Sequence, residues 1–244
     1  MVRFARYVAL VVSLVVAGVG AARAQQVPPS ELDPRLGAER ERIGQTIAAA
    51  ARDGLPVELL QDKVREGLAK GVPAPRITVA LGRLSESLSG ARAELAGRDR
   101  PSARLYRAVV DAHAAGAGRP EVGAVLAATP RADGEATARA IEVLGDLARH
   151  GFPVDAAARA VADVARARPQ VLGQLVGEAE ALRRSGMATP VEALDALTRA
   201  AQRSLRLDEA QKLLPRGGRD RGASPDERGP ERETQGNRGR GRAN

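Results

Sequence analysis

Apolar residues recur every three or four positions along most of the chain, which is the spacing of one face of an α-helix. The segment from Ile77 to Leu95 shows this most clearly, because two apolar series with a period of seven run side by side. No segment between residues 25 and 214 alternates apolar and polar residues as a half-buried strand would. The pattern therefore predicts an all-α body. The predicted helices begin near these residues: Leu36, Pro56, Ile77, Ser102, Pro120, Glu135, Pro153, Pro169 and Pro190.

One short phrase occurs three times between predicted helices. It spans residues 51–58 (ARDGLPVE), 148–155 (ARHGFPVD) and 183–192 (RRSGMATPVE), and the third copy carries two extra residues before its proline. Glycine readily adopts the left-handed conformation that ends a helix, and the apolar residue after it can pack against the last helical turn. Proline suits the first position of the next helix, and the acid two residues later faces the positive end of that helix. We therefore predict a corner between two helices at each copy.

The spacing of the glycines at predicted turns indicates a repeated helix pair. Gly54 and Gly71 lie 17 residues apart, whereas Gly118 and Gly151 lie 33 and Gly151 and Gly186 lie 35 residues apart. One helix with its turn thus accounts for about half of the longer spacing. Helix pairs of this length stack in α-solenoids, but the short turns also suit a compact bundle. The sequence predicts either an α-solenoid-like array of antiparallel helix pairs or a compact helical bundle.

The two ends of the chain differ in composition from the body. Residues 1–24 have a basic start, an apolar stretch and the sequence Ala-Arg-Ala at their end, which is typical of a cleaved secretory signal peptide. The apolar stretch is shorter than the roughly 20 residues of a membrane span, so we expect no transmembrane segment after cleavage. Residues 25–34 are a Pro-containing linker, and residues 35–214 are predicted to be a helical domain. Residues 215–244 form an Arg/Gly-rich tail without apolar periodicity, which we expect to be disordered.

The charge of the chain is concentrated at its ends. The formal net charge is +8, of which the signal segment and the tail contribute +3 each, so that residues 25–214 carry only +2. A nearly balanced body argues against a specific nucleic-acid-binding surface. The chain has no cysteine, which excludes disulfides and thiolate chemistry.

Few residues are candidates for chemistry. His150 stands directly before the glycine of the second phrase, where a cation is favourable near a helix C-terminus. His113 has no second metal ligand at helical spacing. One face of the predicted second helix carries Lys63, Glu66 and Lys70. These residues form either a row of surface salt bridges or a binding site for an anionic partner. Since no motif for a catalytic nucleophile or a phosphate-binding loop occurs, the sequence predicts no catalytic, cofactor-binding or metal-ligating residue and no cofactor.

These observations favour an exported, non-enzymatic helical scaffold or protein-binding module whose partner is another protein. We expect it to be periplasmic or extracellular after signal cleavage. One alternative is tethering to anionic envelope lipids or polymers through the tail, in which eight arginines outnumber five acids. The other alternative is an enzyme whose cleft the sequence does not reveal.

Overall fold

The computed structural model describes residues 33–214, and all regular structure within that range is helical. Its α-helices are α1 (Arg40–Arg52), α2 (Val57–Ala69), α3 (Ala74–Glu94), α4 (Ala103–Ala114), α5 (Arg119–Ala128), α6 (Gly134–Arg149), α7 (Val154–Ala167), α8 (Leu172–Arg184) and α9 (Pro190–Gln202). Shorter 3-10 helices occur at Pro34–Glu39, Pro169–Val171 and Leu207–Leu213. The predicted all-α fold is confirmed. The predicted signal peptide (1–24), most of the linker (25–34) and the tail (215–244) lie outside the described residues.

The predicted helix starts differ from the observed ones for local reasons. The first α-helix begins at Arg40 instead of Leu36, because Gly37 takes a positive φ of 53° and separates a 3-10 turn from the helix. Asp133 caps α6, since its side chain accepts a 2.8 Å hydrogen bond from the backbone N–H of Ala136. Helix ends are thus set by single side chains and single backbone angles.

The chain divides into two compact units, the first ending at Val110 and the second starting at Asp111. In the first unit, α3 packs against α1 and α2, and the 3-10 helix at Pro34–Glu39 packs against α1 and α3. The buried core of this unit is largely branched aliphatic, and it includes Leu36, Ile43, Ile47, Leu60, Val64, Ile77, Leu81 and Leu88. The Thr78 hydroxyl adds a polar link, because it donates a 2.9 Å hydrogen bond to the Glu39 carboxylate. The single helical domain over residues 35–214 stays a prediction.

In the second unit, helices pack against the helix two places further along the chain: α5 packs against α7, α7 against α9, and α6 against α8. Helix α7 also contacts α6 and is rich in alanine. Its buried residues are Ala156, Ala157, Ala158, Ala160, Val161, Ala162, Val164 and Ala165. Small residues allow close approach elsewhere in this unit as well, since a β-carbon at Gly145 would lie only 3.3 Å from the Cα of Ala112. The core of the second unit therefore combines many alanines, which allow close helix approach, with larger buried residues such as Ile141, Leu144, Leu172 and Leu197.

The longest described helix is α3, with 21 residues, and it mixes charged with apolar positions. Within residues 33–214, no helix combines the length and the apolarity that a membrane crossing requires.

Candidate functional site

The repeated phrase ends a helix in the same way at its first two copies. Gly54 and Gly151 have positive φ values of 67° and 79°. The backbone N–H of the next residue, Leu55 or Phe152, donates to the carbonyl five residues earlier, at 2.9 and 3.0 Å. These two apolar side chains fold into the core and are only 5% and 2% exposed. The predicted packing of the residue after glycine is therefore confirmed at both corners.

The third copy has the same glycine conformation but a different side-chain arrangement. Gly186 has a φ of 68°, yet Met187 is 50% exposed. The Ser185 hydroxyl donates a 2.7 Å hydrogen bond to the Leu182 carbonyl, which is the acceptor that the post-glycine amide uses at the other two corners. The Met187 amide instead donates to Ser185 Oγ at 3.4 Å. The prediction of a buried post-glycine residue is wrong here, because the serine hydroxyl takes the carbonyl that would hold Met187 against the helix.

The two extra residues of the third copy change how the next helix begins. Thr189 is the N-cap of α9, and its Oγ1 accepts a 3.3 Å hydrogen bond from the Glu192 N–H. The Glu192 carboxylate accepts a 2.9 Å bond from the Thr189 N–H, which completes a capping box. Pro190 is then the first helical residue as predicted, whereas Pro56 and Pro153 occupy the N-cap, one residue before the predicted position. Helix α9 thus has a start that does not depend on the packing of Met187.

Apolar side chains remain exposed at this third corner. Met187 and Val191 lie four residues apart and are 50% and 39% exposed. Among the described residues, Val79 in the first unit is the other large apolar residue with such exposure, at 57%. Arg183 and Arg184 are the first two residues of this corner, and their side chains are 38% and 74% exposed. The third corner, residues 183–191, therefore presents apolar surface beside guanidinium groups.

Polar and aromatic contacts hold the second corner to α8. His150, the C-cap residue of α6, places its Nδ1 3.6 Å from Glu180 Oε1. The Arg183 Nη2 atom lies 2.7 Å from the same oxygen. The Arg183 guanidinium also stands over the Phe152 ring, 5.4 Å from its centroid. The structure therefore places His150 at a helix end, as the sequence predicts, with a carboxylate beside it.

Lys63, Glu66 and Lys70 form a row on the surface of α2. The Glu66 carboxylate accepts a hydrogen bond from Lys70 and a 3.1 Å hydrogen bond from Lys63. These bonds, the one from Lys70 foremost, lower the pKa of Glu66 to about 2. All three side chains are more than two-fifths exposed, so the ion pairs add little to stability.

The same row borders a cleft of about 180 Å³ between α2 and α3. Val72 and Ile77 contribute apolar walls, and Arg76 adds a third cation. Sequence reasoning missed Arg76 because it lies beyond the Gly71 turn, on the next helix. Helical periodicity relates residues along one helix and gives no signal for side chains that meet across a turn.

The remaining candidate, His113, and the acid of the second phrase, Asp155, both have partners within the chain. His113 Nδ1 lies 2.7 Å from the Ala117 carbonyl oxygen. Asp155 pairs with Arg159 at 3.1 Å along α7, as surface charges at helical spacing commonly do. Over residues 33–214, no three or more histidines, aspartates or glutamates are grouped so as to hold a metal ion.

No protein-family model, curated protein or solved structure matches this chain. The surfaces of the chain itself are therefore the basis for a functional proposal.

Proposed function

We propose that this protein is an exported, non-enzymatic helical scaffold that binds another protein, with the third corner as its contact surface. The observation that carries the proposal is the exposure of Met187. At the same position of the repeated phrase, Leu55 and Phe152 are buried. An apolar residue that the fold does not bury costs solvation free energy, which a partner can recover by covering it.

The chemistry of the third corner indicates which groups a partner surface would carry. Methionine is flexible and polarizable, so it adapts to apolar surfaces of different shape. Arginine and methionine are enriched at protein interfaces relative to the rest of the surface, and Arg183 and Arg184 lie close before Met187 in the chain. The matching surface is a protein segment that carries an apolar side chain next to carboxylates.

The helix packing of the second unit supports the proposed scaffold role. Contacts between every second helix are those expected when helix pairs stack into an array. Such arrays carry partners on extended surfaces and corners without needing a catalytic centre. The signal-like composition of residues 1–24 supports export.

Site-specific photo-crosslinking tests the proposal. We would place a photoreactive amino acid at position 187 of the full chain and irradiate it with the envelope fraction of the source cells. We expect one reproducible protein adduct. The matched control carries the photoreactive residue at position 79, because Val79 is similarly exposed but lies in the first unit.

Competition with unlabelled protein shows whether the adduct forms through the third corner. Unlabelled wild-type protein should suppress the adduct, and unlabelled Met187→Glu protein should not. Equal adducts from positions 79 and 187, or no adduct from position 187, would refute a docking role for the third corner.

A further inference from the structure

The cleft between α2 and α3 combines a charged rim with an apolar floor. Lys63, Lys70 and Arg76 lie at its rim together with one carboxylate, that of Glu66. Arg76 is exposed and forms no ion pair with any residue in the described range 33–214. The site thus carries three cations against one anion, a local charge of +2.

Glu66 organises this rim without neutralising it. Its two carboxylate oxygens accept from the two lysines, one oxygen for each. An ammonium group has three N–H donors, so each lysine keeps donors for a further acceptor. The pairing holds both ammonium groups near the cleft, while the guanidinium of Arg76 keeps its planar set of donors for a bidentate contact.

The floor of the cleft is apolar and tightly packed. Ile77 is 2% exposed, and a β-carbon at Gly67 would come within 2.7 Å of its Cγ1 atom. The backbone of α2 therefore lies directly against Ile77, and Val72 closes the cleft at the turn. A volume of about 180 Å³ is below the roughly 300 Å³ at which pockets for drug-sized ligands begin. The cleft accommodates a small anionic group and a short apolar substituent.

From the +2 rim and the apolar floor, we infer that this cleft binds a phosphate monoester. Such a group carries close to two negative charges at neutral pH, which matches the charge of the rim. Its oxygens suit the guanidinium of Arg76 and the lysine ammonium groups, and the first carbons of its ester substituent lie against Val72 and Ala80, which line the cleft and are partly exposed. The ligand is either a free monoester or the headgroup of a monoester lipid. This site is separate from the third corner and does not depend on the proposed protein partner.

Titration of the full-length protein with phenyl phosphate tests the inference directly. We expect saturable NMR shifts of the Gly67 amide and the Ile77 δ-methyl group, and weaker binding of inorganic phosphate, which lacks the apolar substituent. Arg76→Gln should weaken binding of phenyl phosphate by roughly tenfold, the loss expected for a charge-assisted hydrogen bond. Because Arg76 is exposed and has no ion-pair partner in the described range, this variant should keep the circular dichroism spectrum of the wild type.

Arg83→Gln is the matched control, since Arg83 is also on α3 but does not line the cleft. It removes the same charge and should leave the affinity unchanged. This comparison also separates the cleft from the arginines of the tail, which both variants retain.

A vesicle-binding experiment identifies whether the phosphate belongs to a free monoester or to a lipid headgroup. Full-length protein would be sedimented with phosphatidylcholine vesicles, with and without phosphatidic acid. Binding of phenyl phosphate in solution that depends on Arg76 indicates a free monoester. Arg76-dependent binding to phosphatidic acid vesicles alone indicates a lipid headgroup. The inference is overturned if neither probe responds to Arg76→Gln, or if Arg83→Gln weakens binding equally. Either result leaves the crosslinking test at position 187 unaffected.

Discussion

The second and third corners share a glycine conformation but treat the residue after the glycine differently. At Gly151 the next residue, Phe152, is held by a backbone hydrogen bond and buried. At Gly186 the next residue, Met187, is half exposed, because Ser185 occupies the helix carbonyl with its hydroxyl. A left-handed glycine therefore ends the helix, but it does not decide whether the next residue joins the core.

This comparison separates two tasks that the repeated phrase combines. Ending the helix needs a residue that tolerates positive φ, and both glycines provide it. Closing the corner needs a free carbonyl and an apolar side chain that reaches the core. The third corner performs the first task alone, and the capping box at Thr189 starts α9 independently. The side chain of Met187 is thereby left half exposed.

The largest expected effect is at the second corner. Phe152→Ala should lower the free energy of unfolding by about 3–5 kcal/mol, because it removes a buried aromatic side chain and leaves a cavity. Urea unfolding followed by circular dichroism measures this loss. Phe152→Leu, which keeps most of the apolar volume, should cost less than half as much. A loss below about 1 kcal/mol for Phe152→Ala would mean that this corner is not closed by its aromatic residue.

The backbone of the two corners should respond alike to substitution. Gly151→Val and Gly186→Val should each cost at least about 1–2 kcal/mol, since a β-branched residue is strained at positive φ. Apart from the chain neighbours, no atom lies within 4 Å of a β-carbon built at either glycine, so the cost comes from the local backbone conformation and not from a clash with another part of the fold. Thermal melting compares both variants with Ala127→Ser, a change at an exposed helical position. A melting temperature for Gly151→Val equal to that of the wild type would contradict the helix stop.

Removal of the capping box tests the independent start of α9. Thr189→Ala should destabilise the protein by about 1 kcal/mol, because the backbone N–H of Glu192 loses its acceptor. Thr189→Ser keeps the hydroxyl and should recover most of this loss. Chemical denaturation of the two variants gives the comparison. If both were as stable as the wild type, α9 would not depend on its cap.

A smaller effect is expected from the exposed row on α2. Glu66 has its pKa lowered from 4.5 to about 2 in the folded protein. Its contribution to stability is therefore present above pH 4.5 and is lost as the pH falls from 4.5 toward 2. The urea midpoint of the wild type should fall in this window by more than that of Glu66→Gln, and added salt should reduce the difference. Glu86→Gln, a change of the same charge on α3, is the control.

Much of the fold is predictable from the sequence because helix ends depend on local residues. The glycines of the three phrases end their helices with positive φ, and Asp133 caps α6. The exposure of Met187 was not predictable from the apolar pattern, because it depends on a hydrogen bond from a serine side chain that competes with the backbone.

The cleft between α2 and α3 is only partly predictable from the sequence. The row of Lys63, Glu66 and Lys70 is predictable from helical spacing. Arg76 joins the row only because the Gly71 turn folds α3 back onto α2. Charge clusters along a helix are thus visible in a sequence, whereas clusters between helices require the fold.

The smallest expected effect is also the most direct test of the central claim, that Met187 is not used by the fold. That test is equilibrium urea unfolding of Met187→Ala. The exposure of Met187 predicts a change in the free energy of unfolding within about 0.5 kcal/mol. A loss of about 2 kcal/mol or more, as for a methionine truncated in a core, would show that Met187 packs within its own chain and would contradict its availability to a partner.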